Sequence, residues 1–330
     1  VPSVWIIKEP EGVVPVLKAN VASGRRSARK YSFWRTLCGQ WQLMAMSVPM
    51  LLYILLFHYG PMWGWITAFM DYKPNLSLRE NEWVGMKNFQ WLFSQKDFLW
   101  SIRNTLAMSV INLVMGTLSA VLLSLFLNEI RSRAFKRTVQ TVTYLPHFLS
   151  MVIVVGIAQN VFSTDGIVNE VLMALGKSKP VFWLGEGKYF WWIVGIINVW
   201  KEVGWNAIIY IAAITAIDPI LYEAAEIDGA NRFGKMLHIT LPGIKSTFMV
   251  LLIMNIGHLM EAGFEIQYLM GQNLLIDWSQ TIDIFSMKYG ITKRQYGRAV
   301  AAGMFKSVVA IFLMLIANFT AKRLGEDSLI

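Results

Sequence analysis

Polar side chains recur at helical spacing inside apolar stretches of this sequence. In one stretch they follow one another every four residues: Asn198, Glu202, Asn206 and Tyr210. A helix places residues with this spacing on one face, and Lys201 lies beside that face. Because charged groups inside a membrane are costly, this stripe is a candidate for binding or conducting a polar solute.

A second polar stripe occurs about fifty residues later. At 100° per residue its members fall within an arc of about 120°: Asn255, His258, Glu261 and Glu265. Two such stripes on neighbouring helices are what a water-filled pathway lined by both would require. The alternative is that interhelical hydrogen bonds and a buried Lys–Glu pair hold the helices together without touching any solute.

The composition places these stripes in a membrane. The chain has 330 residues, of which 55% are hydrophobic and only 15% are charged, and its mean hydropathy is +0.46. Soluble globular proteins carry about 25% charged residues. Residues 36–70, 104–128 and 138–164 contain no charged side chain, and about 20 apolar residues span a bilayer. This pattern argues against a soluble enzyme or a nucleic-acid binder and predicts a polytopic membrane protein.

Six spanning helices are predicted within an all-α membrane domain, residues 41–321. Their expected limits are 41–57, 103–127, 142–162, 189–217, 246–270 and 299–321. The first is expected to stop near Gly60-Pro61. The pattern shows no inverted repeat and no interrupted pair of helices of the kind seen in many secondary transporters.

The net charge of +9 indicates the orientation of these spans. With the N-terminus inside, inner segments carry 16 Lys and Arg residues and outer loops carry 11. The positive-inside rule therefore predicts that both termini are cytoplasmic. Residues 1–24 are expected to form a loosely ordered tail, 25–40 a basic segment along the inner membrane surface, and 322–330 a cytoplasmic tail. The basic cluster at 25–30 is interpreted as a membrane anchor rather than a nucleic-acid patch.

The inner loop at residues 217–246, here termed the two-helix loop, has a distinct pattern. Asp218 is predicted to cap a short helix over 220–228 that ends at Gly229. A second helix is expected to start at Asn231 and stop at Pro242-Gly243. Its apolar face consists of Phe233, Met236, Leu237 and Leu241. From these features alone, a loop lying on the inner leaflet and a docking element for a cytoplasmic partner remain equally open.

A family resemblance favours docking. The loop carries the series Glu223-Ala224-Ala225, Asp228-Gly229-Ala230 and Ile239-Thr240-Leu241-Pro242. This spacing resembles the EAA motif of permease subunits of bacterial binding-protein-dependent ABC importers. Segments 57–62, 83–89, 145–148 and 321–326 resemble the oligosaccharide-importing branch, which includes alginate importers. The first 24 residues lie outside the resemblance.

The resemblance implies a type I importer permease fold in the bacterial inner membrane and a set of partners. These are a second, homologous permease, two cytoplasmic ATPase subunits that hold ATP and Mg²⁺, and an extracytoplasmic solute-binding protein. This chain itself would need no cofactor. The two-helix loop would act as the coupling helix: its apolar face would contact an ATPase groove, and Glu223 and Asp228 would pair with groups at the rim.

The resemblance also implies that the two polar stripes bind the transported sugar. Amides and carboxylates hydrogen-bond sugar hydroxyls, and Lys201, His258 or Lys306 would attract the carboxylates of an acidic sugar. The imidazole of His147, which follows Pro146 at a helix start, is expected to be structural.

Other functions fit less well. The only fragment of a P-loop, Gly176-Lys177-Ser178, lacks the preceding glycine, so ATP hydrolysis by this chain is not expected. The four histidines are scattered, without the paired spacing of a metal site. The remaining alternative is a proton-coupled secondary transporter in which Glu202, Glu261 and Lys201 form a relay.

Overall fold

A computed structural model describes residues 41–271 and 275–323 of the chain. The predicted segments 1–24 and 25–40 lie outside the described residues, as does all but the start of the predicted tail at 322–330. The chain divides into two units, Val1–Met62 and Trp63–Ile330.

The described part of the first unit is a helix that is apolar on all sides. Helix α1 (Trp41–Ile54) continues through a π-helical turn (Leu55–Tyr59) into a 3₁₀ segment (Gly60–Phe69), within which the two units meet in sequence. The expectation that the span stops near Gly60-Pro61 is therefore wrong. Gly60 keeps right-handed helical dihedrals, and Pro61 sits in the first turn of the new segment, where no N–H is needed.

The second unit begins with a small antiparallel hairpin and a short helix. Strands β1 (Met70–Asp71) and β2 (Glu82–Trp83) pair with Met70 opposite Trp83. Helix α2 (Lys87–Ser94) follows, and its buried Asn88 donates hydrogen bonds to the carbonyls of Ala68 and Met70 at 2.8 and 3.0 Å. The hairpin is thereby attached to α2.

The rest of the second unit is helical over its described residues. Its elements are α3 (Lys96–Glu129), α4 (Arg133–Tyr144) with the 3₁₀ turn Leu145–Phe148, α5 (Met151–Val161), α6 (Ile167–Ala174), α7 (Gly187–Thr215), α8 (Pro219–Ile227), α9 (Arg232–Lys235) with the π-helical turn Met236–Thr240, α10 (Leu241–Gly243), α11 (Lys245–Gly257), α12 (Glu265–Met270), α13 (Ile276–Ser279), α14 (Ile282–Met287) with the π-helical turn Lys288–Thr292, and α15 (Tyr296–Arg323).

Three described helical segments are long and apolar enough to cross a membrane: Trp41–Phe69, Lys96–Glu129 and Tyr296–Arg323. Three bent pairs of helices raise the number of candidate spans to as many as six. They are Arg133–Phe148 with Met151–Val161, Gly187–Thr215 with Pro219–Ile227, and Arg232–Gly243 with Lys245–Gly257, bent by 106°, 69° and 55°. The expectation that no pair of helices is interrupted is therefore wrong.

Two predicted spans are broken inside their expected limits. The span at 142–162 bends after Phe148, where extended Ser150 caps α5 by accepting a hydrogen bond from the Ile153 N–H. The span at 246–270 stops at Gly257, and helix resumes only at Glu265. Gly263, with φ of +90°, lies in the break, because glycine adopts left-handed backbone at little cost.

Apolar clusters connect the long helices at both ends of α3, which at 34 residues is about 51 Å long. Near its start, Phe98 packs with Phe285 of α14 and Ala301 of α15. Near its end, Leu125 packs with Ile214 of α7 and Ile244 of the two-helix loop. The segment containing α14 and the start of α15 therefore lies at the opposite end of α3 from the two-helix loop.

Buried polar groups position the segment that begins at residue 275. Asn104 of α3 is fully buried and donates hydrogen bonds to the carbonyls of Asp277 and Gln280 at 3.1 and 3.0 Å. The Thr105 hydroxyl accepts a hydrogen bond from the Ile282 N–H at 3.1 Å. Backbone groups in an apolar environment need such partners, and α3 supplies them.

Candidate functional site

A polar cavity of about 340 Å³ lies where α3, α7 and α11 meet. Five of the nine predicted pathway residues line it, namely Asn206 and Tyr210 on α7 together with Asn255, His258 and Glu261 on α11 and the turn after it. The two sequence stripes therefore do meet at one cavity. Their binding of a solute remains a prediction.

The third wall of the cavity is α3, which the sequence interpretation did not include. It contributes Ser109, Asn112, Gly116 and Thr117. The Ser109 hydroxyl is buried and has no hydrogen-bond partner within the described residues. The four α3 residues are three, four and one positions apart, and this spacing could have revealed a shared helix face. However, uncharged Ser, Thr and Asn side chains also occur routinely between packed helices.

His258 and Glu261 form an interacting pair on the turn beyond α11. His258 Nδ1 lies 3.3 Å from Glu261 Oε2, and both side chains are more than 60% exposed in the single chain. Because the helix ends at Gly257, these residues reach the cavity from a turn. A continuous fifth helix, as predicted, would have placed them differently.

The other four predicted pathway residues lie outside this cavity. Asn198 donates a hydrogen bond to Asn112 Oδ1 at 3.2 Å, which joins α7 to α3. Glu265 is exposed at the start of α12. The remaining two, Lys201 and Glu202, belong to a cluster with His147.

That cluster connects α7 to the bend before α5. Lys201 Nζ donates a hydrogen bond to the His147 carbonyl at 2.6 Å and lies 3.2 Å from Glu202 Oε1. His147 Nδ1 lies 2.7 Å from Glu202 Oε2, and its ring stacks on Trp205 at 4.3 Å. The Lys201 side chain is only 10% exposed, so its charge needs these partners. The contacts favour the structural interpretation of His147, and they pair Lys201 and Glu202 with each other.

Lys306 is also engaged by a carboxylate. Its Nζ contacts both carboxylate oxygens of Asp283, at 2.7 and 2.9 Å. This pair joins α15 to α14, so Lys306 is already neutralised. A role for Lys306 in attracting an acidic solute gains no support from this arrangement.

The two-helix loop has the predicted end signals. The Asp218 side chain accepts a hydrogen bond from the Ile220 N–H at 2.9 Å and caps α8. Gly229 follows the helix with φ of +78°, and the Ala230 N–H bonds the Ala225 carbonyl at 2.8 Å. Asn231 caps α9 through the Gly234 N–H at 2.7 Å. These contacts confirm the predicted helix–turn–helix.

The second helix of the loop ends at Gly243, which confirms the predicted stop at Pro242-Gly243. It runs from α9 through the π-helical turn into α10, which contains both residues. Proline is tolerated there because it occupies the first turn of α10. Ile244 follows as the end residue.

Apolar side chains of the loop are strongly exposed in the single chain. Ile227 and Phe233 are 88% and 67% exposed, and Leu237 and Leu241 are exposed as well. Met236, predicted on the same face, instead packs partly buried against the cluster around Tyr210. An exposed apolar patch of this kind is typical of a protein-binding surface.

The charged residues of the EAA series are free to bind a partner. Glu223 and Asp228 are exposed, and neither side chain has a hydrogen bond or ion pair within the described residues. Ala224 and Pro242 are also exposed, whereas Ala225, Ala230 and Ile239 are half-buried. Tyr222 and the buried Thr240 join the two helices through their hydroxyls at 3.0 Å.

One further pair braces the loop. Lys235 Nζ donates a hydrogen bond to Glu226 Oε2 at 2.8 Å. This hydrogen bond, followed by the lysine charge, lowers the pKa of Glu226 below 4.5, with a smaller contribution from Arg131. Within the described residues, no group of three or more His, Cys, Asp or Glu side chains could hold a metal ion.

Apolar helices of spanning length, a polar cavity between them and an exposed loop at one end define a multi-pass membrane transport protein. The chain belongs to the family of binding-protein-dependent transport system inner membrane components, whose sequence pattern matches residues 112–326.

A curated relative and two solved structures give finer comparisons. The chain is 42% identical to the polygalacturonan/rhamnogalacturonan transport system permease protein YteP of Bacillus subtilis (strain 168), over 87% of this chain and 89% of the relative. It is similar to a chain of a bacterial ABC transporter involved in the import of the acidic polysaccharide alginate, with 37% identity, a TM-score of 0.80 and coverage of 88% and 98%. The bacterial alginate ABC transporter in complex with an alginate pentasaccharide-bound periplasmic protein gives 36% identity, a TM-score of 0.81 and coverage of 90% and 99%.

Proposed function

We propose that this chain is one of two permease subunits of an ATP-driven importer that carries acidic oligosaccharides across a bacterial inner membrane by alternating access. The observation that carries the proposal is the cavity between α3, α7 and α11, where polar groups of three helices meet inside an apolar bundle. Side-chain amides and hydroxyls such as those of Asn206 and Tyr210 suit sugar hydroxyls.

The acidic nature of the substrate is inferred from the relatives. One is named for polygalacturonan and another for alginate, and both polymers are built from sugars that carry carboxylates. His258 at the cavity supplies an imidazole that can hydrogen-bond a carboxylate, and Glu261 lies beside it. The cavity accommodates part of an oligosaccharide, so the remainder would contact the second permease.

Coupling to ATP would occur through the two-helix loop. Its exposed apolar side chains, among them Ile227 and Phe233, would fill a groove on a cytoplasmic ATPase subunit. Glu223 and Asp228 would pair with basic or N–H groups at the groove rim. ATP and Mg²⁺ would be held by the two ATPase subunits and not by this chain.

The remaining partners follow from this arrangement. A homologous permease would close the open side of the cavity, and an extracytoplasmic binding protein would deliver the sugar. The charge distribution favours cytoplasmic termini, which puts the two-helix loop on the side of the ATPases. ATP binding would draw the two coupling loops together and open the cavity outward, and hydrolysis would return it inward.

A proton-coupled secondary transporter is the competing function. Bent helix pairs, which are common in such transporters, are present here. However, Glu202 and Lys201 pair with each other outside the cavity that Glu261 lines, so these three residues do not form a continuous relay. The exposed EAA loop would also have no role.

Reconstituted uptake separates the two functions. We expect the complete complex in proteoliposomes to import a uronate oligosaccharide only with internal ATP, and a protonophore to have no effect. Uptake without ATP that a protonophore abolishes would refute the importer and support the secondary transporter.

Two loop variants test coupling. Glu223→Lys or Gly229→Pro is expected to leave assembly intact while abolishing substrate-stimulated ATP hydrolysis and uptake, since one reverses a docking charge and the other is incompatible with φ of +78°. Glu170→Lys, at an exposed glutamate on α6, is the matched charge control. Retention of substrate-stimulated hydrolysis by either loop variant would contradict the coupling role.

A further inference from the structure

A second polar cavity, of about 210 Å³, lies at the end of the bundle opposite the two-helix loop. Hairpin residues around β1 form one wall, and the segment leading into α15 forms the other. The residues that carry its chemistry are Tyr72, Lys73, Arg294, Tyr296 and Arg298. The cavity is separate from the one between α3, α7 and α11, with which it shares no lining residue.

Positive charge dominates this cavity. It contains three basic side chains and one acidic side chain, Asp71, whose carboxylate lies 3.6 Å from Lys73 Nζ. Among the residues that the structure describes, neither arginine has a carboxylate partner. Guanidinium groups are the side chains best suited to bidentate pairing with a carboxylate.

The two arginines are held in different ways. Arg298 lies with its guanidinium carbon 4.1 Å from the centre of the Trp91 ring and gives one N–H to Gln295 Oε1 at 2.8 Å. Arg294 is exposed and has no hydrogen bond, ion pair or ring contact within the described residues. Arg298 is therefore oriented in advance, while Arg294 is free to close on a ligand.

Arg294 also has an unusual backbone. Its φ of +55° makes it the one non-glycine residue with positive φ in the described part of the chain. Such a conformation is strained for a residue that carries a side chain, and glycine would adopt it without strain. The chain nevertheless carries a long cationic side chain at this position.

Both walls of the cavity are rigid. Asn88 ties β1 to α2, and the Val84 and Gly85 N–H groups both bond the Phe69 carbonyl at 2.8 and 3.0 Å. On the other wall, a Cβ added to Gly297 would lie 2.5 Å from the Met70 carbonyl oxygen. The two walls therefore meet backbone to backbone, and the cavity has a defined shape before any ligand arrives.

We infer that this cavity binds one carboxylate-bearing sugar unit of an acidic oligosaccharide on the outer face of the permease, before the sugar enters the bundle. The inference rests on the proposed function, which places the two-helix loop in the cytoplasm and hence this end outside. The size suits a single sugar unit, since pockets for larger ligands are about 300 Å³ or more. Arg294 and Arg298 bind the carboxylate, and the hydroxyls of Tyr72 and Tyr296 bind the sugar.

Binding to the intact complex in nanodiscs tests the inference, with trigalacturonate as the acidic probe and its methyl ester as the neutral probe. Arg294→Gly removes the guanidinium and relieves the positive φ, so folding is preserved. We expect it to weaken trigalacturonate binding at least tenfold, to leave binding of the ester unchanged and to weaken the salt dependence. Arg294→Lys keeps the charge but not the bidentate geometry, so we expect its affinity to lie between those of wild type and Arg294→Gly. Lys293→Gln, next to the cavity, is the matched control and should match wild type.

Three outcomes would overturn the inference. They are equal trigalacturonate affinity of wild type and Arg294→Gly, equal loss with Lys293→Gln, or loss of binding-protein docking alone, which would make the cavity a protein contact. ATP-dependent uptake by the wild-type complex is measured in parallel. If that uptake is intact while Arg294→Gly binds normally, only this inference fails, whereas absence of ATP-dependent uptake refutes the proposed function.

Discussion

Lys235 donates a hydrogen bond to Glu226 across the turn at Gly229, with Nζ 2.8 Å from Oε2. The two residues lie nine positions apart and belong to the second and first helices of the loop. The pair therefore braces the surface that we expect to contact an ATPase subunit. Its partners are unequal, because the Glu226 side chain is 77% exposed and that of Lys235 only 19%.

The first prediction concerns pH. The hydrogen bond and charge of Lys235 lower the pKa of Glu226, so the ionised form is favoured in the folded loop. The contribution of the pair is then complete above the ordinary pKa of 4.5 and is lost as the pH falls through the lowered value. We therefore expect this pair to contribute equally to the hydrogen-exchange protection of residues 219–243 at pH 8 and at pH 6.

Substitutions of Lys235 and Glu226 measure the contribution of this hydrogen bond directly. Lys235→Met and Glu226→Gln should each lower protection of the loop at pH 7 about twofold, a small effect because the Glu226 carboxylate is solvent-exposed. The double variant should resemble either single variant, since both remove one interaction. Fully additive effects would contradict the bracing role.

The second prediction concerns the contact between α7 and the start of the bend. A Cβ added to Gly204 would lie 2.2 Å from the carbonyl oxygen of Thr143, a backbone atom that cannot turn away. Gly204→Ala should therefore destabilise the protein by about 1–3 kcal/mol. The thermal midpoint of the detergent-solubilised complex measures this loss.

Gly195 supplies the control on the same helix. A Cβ there would lie 2.7 Å from Ile111 Cγ2 and 3.2 Å from Met115 Sδ, and both side chains can move. Gly195→Ala should shift the midpoint much less, because the gain in helix propensity offsets part of the crowding. Equal losses for the two variants would show that the close backbone approach is not the cause.

The third prediction concerns the cavity between α3, α7 and α11. Asn206 and Asn255 line it, and their side chains have no hydrogen bond within the described residues. Replacing either with Ala should raise the KM for uptake about 3- to 10-fold, the effect of one lost hydrogen bond, without altering assembly. Asn128→Ala, at the exposed end of α3, is the control and should leave KM unchanged. An unchanged KM in both cavity variants would remove them from the pathway.

The fourth prediction concerns Lys201 and Glu202. Glu202→Gln would leave a lysine whose side chain is 10% exposed without its counter-charge. We expect the free energy of unfolding to fall by about 2 kcal/mol, less than for a fully buried pair because Glu202 is one-third exposed. The Lys201→Met/Glu202→Gln double variant should recover much of this stability. Loss of uptake at unchanged thermal stability would contradict the structural role and would favour the proton relay.

Several local features could be predicted from the sequence because they depend on neighbours in the chain. The fourth span, predicted at 189–217, is found as Gly187–Thr215. Asp218, Gly229 and Asn231 occupy the expected cap and turn positions of the two-helix loop. A cap or a left-handed glycine needs only the next few residues, so residue type and spacing are sufficient.

Features that depend on distant partners were not predictable in the same way. Hydropathy does not mark the break after Gly257, because apolar residues such as Leu259, Met260 and Phe264 continue beyond it. What stabilises the break is buried Gln267, whose Nε2 donates a hydrogen bond to the Ala262 carbonyl, together with left-handed Gly263. Met236 likewise does not lie on the exposed face, because it packs against an apolar cluster at the end of α7.

The sequence by itself determined that this is a multi-pass membrane protein with a helix–turn–helix loop, since hydrophobic length, charge placement and capping residues are properties of local chain segments. Only the tertiary structure decided which polar residues share a cavity. It placed Asn206 and Asn255 in the wall of a cavity that α3 also lines, and it paired Lys201 with Glu202. Periodicity gives the direction of a side chain around its own helix, whereas a cavity depends on how separate helices pack, and that packing is set by contacts between residues far apart in the chain.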